Sequence, residues 1–485
     1  MNSLAEMRAA GTMDSLLAEQ RAAFIAEGVA DGRTRIDRLN RALELLIAHQ
    51  ARWCEAAAHD FGQRPAAITR FMDIMPAVTA LKLARRRVQH WMRPRRQRLG
   101  LPAGAPGSRG AIHYQPLGVV GAISPWNFPI TLSVGPLAGI LAAGNRCMLK
   151  PSEMTPMVSA LIQELVQRYF DARELAVITG DGTVAAAFSK LAFDHLLYTG
   201  SGAVGKRVMA AAAEQLVPVT LELGGKCPVL LGRSANLARA VDRIMLGKLA
   251  NAGQMCIAPD YVLMPAERID EFVALARAWV ARAYPQLSRN PDYTHLIDER
   301  AAVRMRALLQ DASAQGARIV ALAPETVTPA GEDQRAGARM VEPLLILGAT
   351  QHMRVMQEEI FGPLLPVLAS ADIEAAVATV NAGPRPLALY YFGSDAGERR
   401  FVLEHTRSGG VTINGVGMHF MAEELPFGGI GASGMGAYHG EQGFRSFSHA
   451  RAVYVQPGLD LAGLIGLRPP YGPRLEKVLN LLIRR

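Results

Sequence analysis

Apolar residues recur three and four positions apart in Leu39, Leu43, Leu45, Leu46 and Ile47, with Arg and Glu on the other faces. That period predicts helices from about 14 to 98. A loop rich in Gly and Pro, 100–107, closes this region. Beyond it the pattern changes to short apolar runs: Gly118-Val-Val-Gly-Ala-Ile-Ser124, Cys147-Met-Leu-Lys150, Glu174-Leu-Ala-Val-Ile-Thr179 and His195-Leu-Leu-Tyr-Thr199. These read as strands, and helical patterns over 155–169 and 184–190 fall between them. Strands alternating with helices predict a parallel sheet covered on both faces. The second half repeats the theme, with strands over 228–231 and 261–264, helices over 237–250, 268–283 and 301–315, and a polar surface loop over 324–334. The predicted class is α/β, in two lobes with a cleft between them, where cofactor sites usually lie.

The longest nearly apolar stretch, 129–144, is shorter than the roughly 20 residues a spanning helix needs, and it carries Thr131, Ser133 and Pro136. It reads as a buried core helix. The first 21 residues mix Glu, Asp and Arg with Ala and Leu and contain no signal-peptide core. The amphipathic piece over 475–483 is too short and too charged to span a membrane. With 485 residues, 50% hydrophobic and 20% charged, the chain has enough apolar material for two or three domains, which excludes a disordered protein. A net charge of +9 is modest at this length. The cluster from Arg85 to Arg98 contains one aromatic, Trp91, and lacks the interleaved rings of a nucleic-acid binder, so it reads as the solvated face of a helix. Four cysteines without a C-x-x-C pair argue against a metal framework and suit the cytoplasm.

Three segments carry candidate chemistry. Gly200, Gly202 and Gly205 match G-x-G-x-x-G at a strand-to-helix turn, which presents backbone N–H groups to a pyrophosphate. Glu222 lies near where the ribose-gripping acid of such a unit would be expected. Cys256 sits in a Gly-punctuated turn just past a helix, as a nucleophile with a lowered pKa or as a small buried hydrophobe. Pro125-Trp-Asn-Phe-Pro129 holds Asn127 stiffly after a strand, as a turn residue or as an oxyanion donor.

Taken with Lys150-Pro-Ser-Glu153, Leu221-Glu-Leu-Gly-Gly225, Gly253-Gln-Met-Cys256, Glu358-Glu-Ile-Phe-Gly-Pro363 and Pro426-Phe-Gly-Gly429, these motifs resemble the aldehyde dehydrogenase superfamily in order and spacing, over about residues 30 to 455. Cys256-Ile-Ala-Pro-Asp-Tyr261, Gly434-Met-Gly-Ala-Tyr-His-Gly440 and Phe447-Ser-His449 resemble its class-3-like branch, which includes fatty-aldehyde and coniferyl-aldehyde dehydrogenases. The N-terminal region and the tail from Arg468 resemble the bacterial coniferyl-aldehyde type most. The resemblance implies the aldehyde dehydrogenase fold: a Rossmann-like NAD-binding domain over 1–222 with a bridging hairpin near 105–118, a catalytic domain over 223–419, a returning and oligomerisation segment over 420–458, and a tail over 459–485.

It also implies roles. Cys256 is the nucleophile, Asn127 an oxyanion donor, and Glu222 the general base rather than a ribose ligand. Lys150 and Glu153 grip the adenosine ribose, and Gly202 is not required. Glu359 and Phe361 hold the nicotinamide ribose and brace the ring. Trp126, Gly200, Ser201 and Gly205 serve the cofactor, and Phe427 and Met255 line the substrate tunnel. The implied reaction is NAD-dependent oxidation of an aromatic or medium-to-long aliphatic aldehyde to the acid, through a thiohemiacetal and a thioester. A carboxylate at Glu153 favours NAD over NADP, and Lys150 softens that preference. Relatives of the branch imply a homodimer; the cysteine spacing and the composition of the basic cluster argue against a metal and a nucleic acid. A CoA-acylating dehydrogenase would leave Glu222 unnecessary, and a cysteine amidase or thioesterase would leave Lys150, Glu153 and Glu359 idle.

Overall fold

A computed structural model describes residues 4–100, 103–104, 106–324 and 339–483. Helices fill the N-terminal region as the three- and four-residue period requires. Gly32–Ile47 starts at Asp31, whose carboxylate accepts from Thr34 N at 2.8 Å, and it buries Leu39, Leu43 and Leu46. The helical pattern ends sooner than the spacing predicts. Met75–Trp91 is followed by a strand, Arg95–Gln97, so Arg95 and Arg96 are exposed strand residues rather than a helix face. Pro94 explains the break, because it disfavours helical backbone at Arg93 and cannot donate to a continuing helix.

The apolar stretch 129–144 is buried throughout, as expected, but forms two short helices, Thr131–Val134 and Leu137–Ala143, divided at Gly135-Pro136. Most of the polar loop expected over 324–334 lies outside the described residues.

A six-stranded sheet runs in the order Leu175–Val177, Arg146–Lys150, Val119–Ile123, His195–Gly200, Val219–Leu223 and Gly434–Met435. All neighbours are parallel except the last pair, in which Gly434 stands opposite Glu222. Chain order reverses between Val119–Ile123 and His195–Gly200. The crevice outside the carboxyl ends of strands at such a switch point is the ligand site of open α/β sheets. The segment with Asn127 leaves one of these ends, and Gly200 and Ser201 form the other.

The second sheet has seven strands, ordered Arg318–Ala321, Leu344–Leu347, Leu364–Ala369, Tyr261–Met264, Pro228–Leu231, Ala388–Phe392 and Gly410–Ile413. Its strands are parallel apart from Arg318–Ala321. In the third sheet, Arg109–Pro116 is central, with Arg95–Gln97 and Ser448–Val455 antiparallel on either side. One hydrophobic core runs continuously through both lobes, from Leu39 and Trp53 through Val120 and Leu149 to Val229, Ile244 and Val262. Groups carried by the two lobes are therefore held at fixed separations.

Candidate active site

Cys256 follows an uncommon turn. Helix Leu237–Leu249, capped by Asn236, runs into Ala250–Gly253, where Asn251 (φ 51°), Ala252 (φ 52°) and Gly253 (φ 75°) are all left-handed. Left-handed backbone costs a non-glycine residue about 1–2 kcal/mol, so other contacts must hold this shape. Side-chain hydrogen bonds do so. Asn251 Nδ2 donates to the carbonyls of Asn127 at 3.1 Å and Gln254 at 3.3 Å. Gln254 Nε2 donates to Asn251 O at 3.0 Å and His295 O at 3.1 Å, and its Oε1 accepts from Ile297 N at 2.8 Å. A Cβ at Gly253 would lie 2.3 Å from the carbonyl oxygen of Gly362, so only glycine lets these two loops meet.

The turn leaves Cys256 part-exposed at its apex. Its thiol is nonetheless pushed up to about 12, first by burial and then by the charges of Glu359 and Glu222. The backbone N–H groups of Cys256 and Ile257 pull the other way and lose. This corrects the expectation of a thiol acidified by its turn: desolvation outweighs two amide dipoles. Cys227 Sγ packs 3.3 Å from the Cys256 carbonyl oxygen in the core.

Glu222, on strand Val219–Leu223, is 3% exposed, and neither of its oxygens has a hydrogen-bond partner among the described residues. Burial raises its pKa well above the carboxylate range. Tyr438, buried as well, senses the charges of both Glu222 and Cys256.

Asn127 is also buried, and its Nδ2 donates to Gln254 O at 3.2 Å, two residues before the cysteine. That bond uses one of the two amide hydrogens. Asn127, Glu222 and Cys256 therefore converge, one from a loop and one from a strand of the first lobe, the third from the second lobe.

The expected cofactor residues form a second group along the same crevice. Lys150 is buried, donating to Pro151 O at 2.8 Å and to Glu153 Oε2 at 3.3 Å, while the Glu153 carboxylate is about half exposed. Ser201 caps helix Gly202–Ala213, accepting from Val204 N at 3.4 Å. A Cβ at Gly205 would lie 2.7 Å from Leu223 Cδ2 and one at Gly200 2.3 Å from the Tyr198 hydroxyl, whereas one at Gly202 would meet nothing within 4 Å. Of the three motif glycines, Gly202 is the one that packing does not require.

Glu359 is pushed up to about 8 by burial and by Asp260, and its Oε1 has no partner among the described residues. Phe361 meets Trp126 edge to face at 5.4 Å, joining the two loops that border the crevice. Orphaned carboxylate oxygens, a helix N-terminus and closely approaching glycines fit a bound dinucleotide. Phe427 is buried among Phe420 (4.9 Å), His439 (5.1 Å) and Tyr438 (6.1 Å), and Met255 is buried beside Cys256.

Several functional neighbours escaped sequence reasoning. Lys226 pairs with Asp260 and donates to the carbonyls of Val355 (2.8 Å) and Glu358 (3.1 Å), and Asp260 Oδ1 accepts from Ile360 N at 3.0 Å. Arg304 donates to Glu359 O at 3.1 Å and also reaches Ile360 O. Together they pin the segment that carries Glu359. Asp260 lies inside the motif Cys256–Tyr261 without a role attached to it, adjacency to Leu221–Gly225 alone marks Lys226, and nothing marks Arg304. Among the described residues, no group of three or more His, Cys, Asp or Glu side chains is placed to hold a metal ion, and no helix is long and apolar enough to cross a membrane.

The sequence matches the Aldehyde dehydrogenase family over residues 3–453. It is 49% identical to a probable coniferyl aldehyde dehydrogenase of Caulobacter vibrioides over 470 residues, 96% of each chain. It is 48% identical to a coniferyl aldehyde dehydrogenase of a Pseudomonas species, over 97% of this chain and 96% of that one. AldH of Staphylococcus aureus, solved in its substrate-bound state, superimposes with a TM-score of 0.89 at 33% identity, covering 97% of this chain and 99% of the other. A Mycobacterium tuberculosis aldehyde dehydrogenase complexed with NAD+ gives 0.82 at 27% identity, covering 93% and 92%. The chain belongs to the aldehyde dehydrogenase family, and it is an oxidoreductase that acts on aldehydes with a nicotinamide cofactor.

Proposed function

We propose that this enzyme oxidises aromatic aldehydes of the coniferyl type to their acids, with NAD as hydride acceptor. The observation that carries this reading is the convergence of Cys256, Glu222 and Asn127, with Asn127 tied to the cysteine loop through Gln254. The ring-rich surround of Phe427, Phe420 and Tyr438 and the names of the similar Caulobacter and Pseudomonas proteins support an aromatic substrate.

An aldehyde has no leaving group, so its oxidation needs a tetrahedral adduct that can release hydride. Cys256 provides it by attacking the carbonyl carbon, and because burial holds the thiol protonated, a base must take its proton as the bond forms. The second hydrogen of the Asn127 amide and the Cys256 N–H receive the resulting oxyanion. One such donor is typically worth about 3–4 kcal/mol. A bound nicotinamide dinucleotide supplies the hydride acceptor. The adduct is then a thioester, and Glu222, whose carboxyl burial raises well above the ordinary carboxylate range, draws a proton from the attacking water. The acid leaves and the thiol is restored.

Residues 1–222 serve in this reading as the cofactor lobe and 223–419 as the catalytic lobe, with 420–458 returning to the first lobe and pairing subunits as a homodimer, and 459–485 as a tail. Exposed Tyr454 and Val455 on the third sheet support the pairing. The Glu153 carboxylate favours the 2′-hydroxyl of NAD over a 2′-phosphate. Four free thiols agree with a cytoplasmic site of action.

The test is NADH formation across aromatic and aliphatic aldehydes, with and without CoA, by the wild type and by Cys256→Ser. Acid production that is independent of CoA, fastest with hydroxycinnamyl aldehydes and lost in a variant that still binds NAD, is the expected outcome. Turnover by Cys256→Ser would remove the sulfur from the mechanism.

A further inference from the structure

The segment that carries Asn127 is anchored by a buried ion pair contributed from elsewhere in the chain. Asp73 Oδ1 accepts from two consecutive backbone groups, Ile130 N at 3.0 Å and Thr131 N at 2.7 Å, across sequence separations of 57 and 58 residues. Its Oδ2 faces Arg64 Nη1 at 3.3 Å, and both side chains are completely buried. The Arg64 guanidinium lies over the rings of Phe61 at 4.6 Å and Phe128 at 5.2 Å, and none of its three nitrogens has a hydrogen-bond partner among the described residues. Phe61 in turn meets Trp126 at 6.3 Å. The pair thus reaches the segment over 125–131 through Phe128 directly, through Trp126 by way of Phe61, and through the amides of Ile130 and Thr131.

Asp73 is presented by a widened helical turn, Thr69–Ile74, in which Met75 N reaches back five residues to Arg70 O. Such turns are rare in helices and are found frequently at functional sites. Thr131–Val134 is a single turn with no side-chain cap of its own; Leu132 N donates to Phe128 O at 3.0 Å, and the two amides before it, of Ile130 and Thr131, go to Asp73. A local capping residue would serve those two amides as well. A buried ion pair is a poor way to gain stability, because desolvation offsets its attraction. What it supplies is direction, since two adjacent amides fixed on one oxygen leave the segment a single orientation. The opposite end is held by Ser124 N, which donates to Lys150 O at 3.1 Å.

We infer that Arg64 and Asp73 are positioning residues for the reaction, which aim the Asn127 amide at the oxyanion by clamping the segment that bears it. This rests on the reading of Asn127 as the oxyanion donor given above.

A double-mutant cycle separates the two claims. The quantity read is the pre-steady-state rate of NADH formation, with NAD affinity measured alongside. Asp73→Ala should slow that step about 10- to 100-fold, the scale of a displaced catalytic group, with NAD affinity unchanged. Asp73→Asn, which keeps an acceptor oxygen, should recover part of the loss. In an Asn127→Ala background, Asp73→Ala should cost less than about twofold, because its effect runs through the missing amide. An equal loss in both backgrounds would overturn the positioning role and leave the oxyanion reading intact. If Asn127→Ala by itself leaves the rate at the wild-type value, the oxyanion reading fails and the positioning role with it. Should Asp73→Ala be insoluble, Arg64→Lys serves in the same cycle, with the same coupling to Asn127 required.

Discussion

The side-chain amide of Asn251 donates to the backbone carbonyl of Asn127 at 3.1 Å, so the loop that carries Cys256 and the loop that carries Asn127 form one hydrogen-bonded body. Asn251 also holds a left-handed backbone that most residues resist. Asn251→Ala should therefore cost about 2 kcal/mol of stability and lower kcat about 10-fold. Thermal melting and steady-state kinetics on the purified variant check both values.

Glu222→Gln should separate the two halves of the reaction. One equivalent of NADH should form rapidly and the thioester then persist, with steady-state turnover down about 10²- to 10⁴-fold. Rapid mixing followed by mass analysis of the trapped acyl-enzyme reads both. Ordinary turnover would take the base role away from this carboxylate.

Gly253→Ala and Gly202→Ala should behave oppositely. The first adds a side chain at φ 75°, with its Cβ 2.3 Å from Gly362 O, and should cost about 3 kcal/mol or more. The second meets nothing within 4 Å at the start of a helix and should change stability by less than about 1 kcal/mol. Denaturant melts of the two variants make the comparison.

Removing the Glu153 carboxylate should raise the relative use of NADP. A like-charge contact at about 4 Å in water is worth about 1 kcal/mol, so the NAD/NADP ratio of kcat/KM should fall about fivefold in Glu153→Ala. An unchanged ratio would separate Glu153 from the ribose.

Stability should fall as pH rises from about 6.5 to about 8. Glu359 and Glu423 are both pushed up to about 8 by burial, so over this window the folded protein holds protons that the unfolded chain has released. The buried histidines 195, 419 and 439, lowered to about 4, 4 and 3, act in the opposite sense, but only below their unfolded value of 6.5. Melting temperatures of the cofactor-free enzyme should decline through this window, with a shallower slope in Glu359→Gln combined with Glu423→Gln.

The sequence disclosed elements whose cause is local. Strands such as Val119–Ile123, Arg146–Lys150 and Pro228–Leu231 are buried on both faces and read as apolar runs. The helix before Cys256 and the glycine turn after it were legible in the same way. Arg95–Gln97 was not, because an exposed, charged strand has no apolar signature and is defined by its pairing with Gly110, Ala111 and Ile112. The motif residues that converge at the site were visible one by one. Their supports, Arg64, Asp73, Lys226, Asp260 and Arg304, were not, because each acts on a segment made adjacent only by folding. The thiol's raised pKa was likewise hidden, since desolvation is a property of the packed surroundings.

The strand that bears Glu222 has one neighbour, His195–Gly200, made shortly before it, and another, Gly434–Met435, made more than two hundred residues later. On the ribosome, that flank of the sheet must wait bare while the whole second lobe is synthesised, an open template for wrong pairing. Truncation before residue 434 should thus yield a chain prone to self-association as well as inactive.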